Sequence, residues 1–159
     1  MTSKGHHATG IGAAMLAAGL VHWLHGFPAF AAIAGLVGAT APDWLELPFL
    51  RGEDLHGRPL RLSVLPHRTL THWVPLWLAL LAAGVWQGNQ LSGSLAIGFA
   101  VGGLTHLAMD VPNPMGVPVW VPWKRKSLRW WRSGEHEILL VAGSWTLGAL
   151  VLLVAERLS

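Results

Sequence analysis

The sequence predicts an all-α fold, a polytopic membrane helical bundle of about five spans with its polar site at the cytoplasmic end. Three observations predict it. Hydrophobic residues make up 52% of the chain and charged residues only 12%, a balance outside that of ordinary soluble domains. The apolar residues fall into five runs separated by turns or polar loops. The ionisable residues gather at one set of ends of those runs. No shift in composition marks a linker, so residues 1–159 are expected to form a single membrane-embedded domain. A soluble core built from the same helices would leave much of their apolar surface exposed.

The first run, residues 8–24, is rich in Ala and Gly. His6 and His7 precede it and other runs resemble it, so it reads as a span rather than a cleaved signal peptide. A short His25-Gly26 turn leads into the second run, residues 27–40. The third covers residues 72–86, the fourth 91–111 and the fifth 138–155. A helix needs about 20 residues to cross the hydrocarbon layer, so the second and third are short and call for flanking residues or a thinned bilayer. With five spans, the N-terminus and the loops 42–71 and 112–137 share one side. That side carries Lys4, Arg51, Arg58, Arg61, Arg68, Lys124, Arg125, Lys126, Arg129 and Arg132, leaving only Arg157 opposite. Positive residues favour the cytoplasm, which orients the bundle.

The chain has no cysteine, so any metal must be held by histidines and carboxylates. In the fourth run Ser94, Gly98, Gly102, His106 and Asp110 recur every four residues and form one stripe along a helix. Its small residues permit close packing of a neighbouring helix. Its end offers an imidazole and a carboxylate one turn apart, able to hold an ion together. Alternatively His106 hydrogen-bonds within the bundle and Asp110 ends the span. Pro66-His67-Arg68-Thr69-Leu70-Thr71-His72 lies where a polar loop enters the third run. On a continuous helix His67 and His72 would point about 140° apart, so His67 belongs in the loop and His72 in the first turn, with Thr69 or Thr71 as the cap. Arg68 would pair with a phosphate or with Asp43. Pro42 and Asp43 suit the start of a helix, where Asp43 is either a cap or a ligand.

Residues 119–132 interleave Trp120, Trp123, Trp130 and Trp131 with Lys124, Arg125, Lys126, Arg129 and Arg132. Such a segment suits the headgroup layer of an anionic leaflet, as an anchor or as a surface that gathers substrate. No nucleic-acid reader fold is visible, so no specific nucleic-acid partner is expected. The expected partners are membrane lipids and a small or lipid-borne anionic substrate.

His6 with Gly10, Pro42-Asp43, His67-Arg68-x-x-Thr71-His72, Gly102-x-x-x-His106-x-x-x-Asp110 and Pro114-x-Gly116-Val117-Pro118 with Trp120-x-Pro122 follow one another in this order. The ordered set resembles the YdjM family of bacterial inner-membrane proteins, described as metal-dependent hydrolases and in some cases as LexA-binding. The resemblance implies a multi-pass protein of the inner membrane with metal ligands His6, Asp43, His67, His72, His106 and Asp110, and with Glu137 at the position of a late acidic residue. It also implies a remote similarity to helical zinc-dependent phospholipases C and nucleases. The chain departs from the family pattern at Leu45, where a second acidic residue is common, so that Glu46 substitutes or the ligand is missing. It departs again at Asn113, where relatives often have Thr. The chemistry expected is that of one or two divalent ions, zinc first among them, that activate water for attack on a phosphoester. Asp110 or Glu137 would act as general base, and Arg68 would hold the anionic group. A metal-ion or proton transporter and a non-catalytic scaffold or regulator are the alternatives.

Overall fold

The computed structural model describes residues 1–53, 59–66 and 68–158. Among them lie six helices: α1 (Ser3–Trp23), α2 (Pro28–Gly38), the single turn α3 (Ala41–Trp44), α4 (Val74–Trp86), α5 (Leu91–Asp110) and α6 (Glu137–Leu158). The five long ones match the five apolar runs to within three residues, except that α1 begins five residues before its run. An entirely helical fold is not what forms, however. The loops at the site end each contain an antiparallel hairpin, β1 (Pro48–Glu53) with β2 (Pro59–Ser63) and β3 (Val117–Pro118) with β4 (Arg125–Lys126). Segments whose backbone groups have no helix to join satisfy them across a strand pair instead.

Local chemistry explains the helix ends. Thr2 caps α1, its hydroxyl accepting the Gly5 N–H at 3.2 Å. After α1 the chain turns through His25, whose φ of 53° is left-handed, and Gly26 N–H returns to the Val21 carbonyl at 3.0 Å. Pro28, Pro42 and Pro75 sit in the first turns of α2, α3 and α4, where a missing N–H costs nothing. Neither threonine expected to cap α4 does so. Trp73 occupies the cap position without a side-chain bond, because Thr69 donates to the Pro66 carbonyl at 2.6 Å and Thr71 lies against His72 at 3.2 Å.

Packing centres on α5, which lies against α1, α2 and α4, while α6 lies along α1. The stripe read from sequence is the α5 surface that meets α2. A methyl group at Gly98 would lie 2.2 Å from the Ala31 carbonyl oxygen, and one at Gly102 would lie 2.3 Å from that of Gly35. Only glycine allows so close an approach. Ala13, Ala17, Val21, Ala31, Ile97 and Val101 form one apolar core, and Ala41, Trp77, Leu107 and Val117 a second one nearer the polar site. Trp77 lies flat against Gly103 and donates its indole N–H to the Thr71 carbonyl at 2.7 Å. The turn that carries His72 is thereby tied to the core.

The contacts set the helix directions. The starts of α1, α4 and α6 and the ends of α2 and α5 meet at one pole, and the short turns 24–27 and 87–90 lie at the other. Two helices, α5 and α6, are long and apolar enough to cross a membrane. At 21 residues α1 has the length, but its histidines and glycines keep it from being apolar enough, while α2 and α4 have 11 and 13 residues. The five-span count therefore reduces to two full-length spans by length and composition. Most of the apolar surface of α6 faces outward, with Leu147, Leu150 and Leu153 all more than half exposed.

Candidate metal centre

The pole where five helix ends meet holds the buried histidines. His106, in the last turn of α5, is fully buried, and its Nδ1 donates to the Ala39 carbonyl at 2.9 Å. A carbonyl oxygen only accepts, so in the neutral ring the proton sits on Nδ1 and the lone pair on Nε2. That Nε2 is buried and makes no hydrogen bond. Its carboxylate neighbours, Asp110 Oδ2 at 3.7 Å and Asp43 Oδ1 at 4.0 Å, stand too far away for one. A desolvated lone pair ringed by carboxylates is costly unless something positive completes it. This is the observation that the residues fit a metal ion.

Two other imidazoles face the same space. His6, buried in the first turns of α1, stacks on His106 with ring centroids 3.7 Å apart and an interplanar angle of 14°. Its Nε2 lies 3.4 Å from Asp110 Oδ1, and its buried Nδ1 makes no hydrogen bond. His7 is exposed, so of the adjacent pair it is His6 that faces inward. His72 meets His106 edge-on at 5.3 Å. Its Nδ1 faces Thr71 Oγ1 at 3.2 Å and Glu46 Oε1 at 3.4 Å, and its Nε2 faces Asp43 Oδ1 at 3.7 Å. A histidine backed by a carboxylate on one nitrogen and open to a ligand on the other is how proteins orient metal ligands.

Among the described residues two groups could hold an ion, His6 with His106 and Asp110, and Asp43 with His72 and His106; within each the ligand atoms lie within 4.8 Å of one another. His106 belongs to both. With Nδ1 committed to Ala39, it has one nitrogen to give.

Asp110 is the electrostatic hub. Its oxygens receive the Met1 amine at 3.0 Å, Arg68 Nη2 at 2.5 Å and Asn113 Nδ2 at 3.0 Å. Arg68 is itself buried and held by three bonds, the other two being Nη1 to the Gly116 carbonyl at 3.0 Å and its backbone N–H to Glu46 Oε1 at 2.8 Å. Its φ of 55° is a conformation non-glycine residues rarely adopt and one that recurs at functional sites.

Of the residues singled out from sequence, His6, Asp43, His72, His106 and Asp110 come together. His67 lies outside the described residues. Arg68 pairs with Asp110, not with Asp43. Glu137 is engaged elsewhere, accepting the Thr2 N–H at 2.5 Å and the Thr2 hydroxyl at 2.9 Å, so it anchors the start of α1. Sequence reasoning left Glu46 open between ligand and bystander, and it proves to be fully buried behind His72. Asn113, noted only as a departure, orients Asp110 from three residues downstream. The carbonyl of Ala39 carried no signal, since a backbone acceptor has no residue type.

Fold and site together define a mostly helical protein with a buried histidine–carboxylate cluster, able to hold a metal ion, at one pole of its helices. The chain belongs to the family described as YdjM inner membrane protein, whose model matches residues 1–157. No curated protein and no solved structure matches it.

Proposed function

We propose that this protein is a membrane-bound, metal-dependent hydrolase acting on a phosphoester or phospholipid-like substrate at the cytoplasmic leaflet. The observation that carries the reading is the buried Nε2 of His106, turned by Ala39 toward two carboxylates and hydrogen-bonded to neither. Either group, His6 with His106 and Asp110 or Asp43 with His72 and His106, would hold a divalent ion, with zinc favoured by a donor set of two imidazoles and a carboxylate. When bound, the ion supplies Lewis acidity and lowers the pKa of coordinated water.

The residues of the chain do the rest. Glu46 and Ala39 orient His72 and His106. Arg68 and Asn113 fix the Asp110 carboxylate. Asp43, whose side chain is 38% exposed, is the carboxylate of the two groups that reaches solvent and marks the side from which substrate and water arrive. It is also the group placed to accept a proton there. Arg68 has Nη1 and Nη2 engaged, which suits holding Asp110 better than gripping a phosphate. The shared nitrogen of His106 favours one ion over two. The helices α1, α2 and α4 would complete the membrane bundle with α5 and α6, their shortness met by packing on α5.

The test is metal content by mass spectrometry of purified protein, together with phosphodiesterase and phospholipase assays with and without chelator. The wild type is expected to retain about one equivalent of metal, and His106→Ala, which removes the residue common to both groups, is expected to lose it together with chelator-sensitive hydrolysis, while loss in His72→Ala or in Asp110→Ala tells which group holds the ion. Metal-free wild type would point to a scaffold or regulator. Metal-driven ion flux in liposomes without hydrolysis would point to a transporter.

A further inference from the structure

The first turn of α1 is incomplete by itself. A helix N-terminus leaves N–H groups without partners, and a common remedy pairs a capping hydroxyl with a Glu or Gln three residues on, whose side chain reaches back to the N–H of the cap residue. Thr2 supplies the hydroxyl, and the residue three on is Gly5, whose N–H it holds at 3.2 Å. Gly5 has no side chain to return. The turn has no acidic residue of its own, and Lys4 adds positive charge where the helix dipole is already positive.

Glu137, the first residue of α6, supplies both missing parts. Its Oε1 accepts the Thr2 N–H at 2.5 Å and its Oε2 accepts the Thr2 hydroxyl at 2.9 Å, so the cap is closed from another helix, 135 positions away in sequence. Gly5 is what admits the carboxylate, since a methyl group there would lie 2.8 Å from Oε1. Beyond this point α6 follows α1 in parallel. Trp145 Nε1–H donates to the Ala8 carbonyl at 2.7 Å, and a methyl group at Gly148 would lie 2.4 Å from the Gly12 carbonyl oxygen. Parallel helices bring two positive ends together, and the Glu137 carboxylate stands at both. The Thr2 carbonyl in turn accepts the His6 N–H at 3.1 Å, one helical turn on, and His6 is the imidazole stacked on His106. We infer that Glu137 is a positioning residue: by closing the cap of α1 from α6, it holds His6 against His106 and Asp110. Its effect on an ion rests on the metal centre proposed for this pole, whereas the clasp on α1 does not.

The experiment titrates the purified full chain in detergent with Co²⁺, read by its visible absorption, and follows amide hydrogen exchange at Gly5 and His6 by NMR. Glu137→Ala is expected to speed both exchange rates about fivefold, as loss of a helix cap does, and to weaken Co²⁺ binding about tenfold with a shifted absorption band. Glu137→Gln, whose side-chain carbonyl still accepts from Thr2, should recover most of the exchange protection, the affinity and the band. A carboxylate that bound the ion or took up a proton could not be replaced in that way. Glu135→Gln, the same charge change two positions earlier, should match the wild type. Unchanged exchange in Glu137→Ala, unchanged Co²⁺ affinity and band in that variant, or a Glu137→Gln as impaired as Glu137→Ala would each overturn the inference. Wild type that takes up no Co²⁺ would defeat the metal reading and with it the effect on the ion, while the exchange rates would still decide the clasp.

Discussion

Glu46 shows how much a single buried residue can decide. Its side chain is fully buried, accepts the Arg68 N–H and backs His72, so it couples the two sides of the cluster. Glu46→Gln keeps an acceptor for Arg68 but removes the charge that polarises the imidazole. We expect metal affinity to fall by about 10- to 100-fold with little change in melting temperature, measured by competition with a chromogenic chelator. Glu46→Ala should in addition destabilise the fold by about 1–3 kcal/mol, since it orphans a buried N–H. Equal affinities in wild type and Glu46→Gln would show that the carboxylate does not act through His72. From sequence, Glu46 was visible only as an acid one residue beyond where one was expected. Burial and the partner across 22 positions of chain separate orienter from ligand, and neither is a property of the local sequence.

At the scale of the element, α5 sets the site because its glycines let α2 come close. The carbonyl that holds His106 belongs to Ala39, at the end of α2, and it is in reach only if Gly98 and Gly102 keep their distance from Ala31 and Gly35. Gly102→Val is therefore expected to cost about 3 kcal/mol or more through overpacking and to abolish metal retention by moving Ala39 off the ring. Gly143→Ala is the control, because a methyl group there meets nothing within 4 Å. It should raise stability slightly, by about 0.5–1 kcal/mol, as alanine does in a helix interior. Thermal unfolding in detergent with metal content read in parallel checks both. Gly102→Val with native metal content would disprove the link between α2 packing and the centre. The four-residue repeat of small residues was plain in the sequence, and it runs along the face of α5 that meets α2. Which neighbour it would meet was not, since a helix stripe records that a partner comes near and not which one.

For the molecule as a whole, the helix directions put the cluster and the basic, tryptophan-rich segment at one pole and the turn around Asn89 at the other. The natural absence of cysteine makes single-cysteine labelling clean. In right-side-out vesicles a membrane-impermeant maleimide is expected to label Asn89→Cys and to spare Trp123→Cys, with the reverse in inverted vesicles. Labelling of both from one side would rule out a bundle that crosses the membrane with the site at the cytoplasmic end. The sequence by itself determined the helical segments and their limits, because apolar run length, proline, glycine and capping residues act within a few positions of chain. It also determined that His6, Asp43, His72, His106 and Asp110 share one end, because alternating helices carry every second boundary to the same pole. Only the tertiary structure decided that Arg68 answers Asp110, that Glu137 binds Thr2, that Glu46 stands behind His72 and that hairpins interrupt the loops. Those outcomes depend on distances of a few ångströms between side chains far apart in sequence, and such distances are fixed only when the helices have packed.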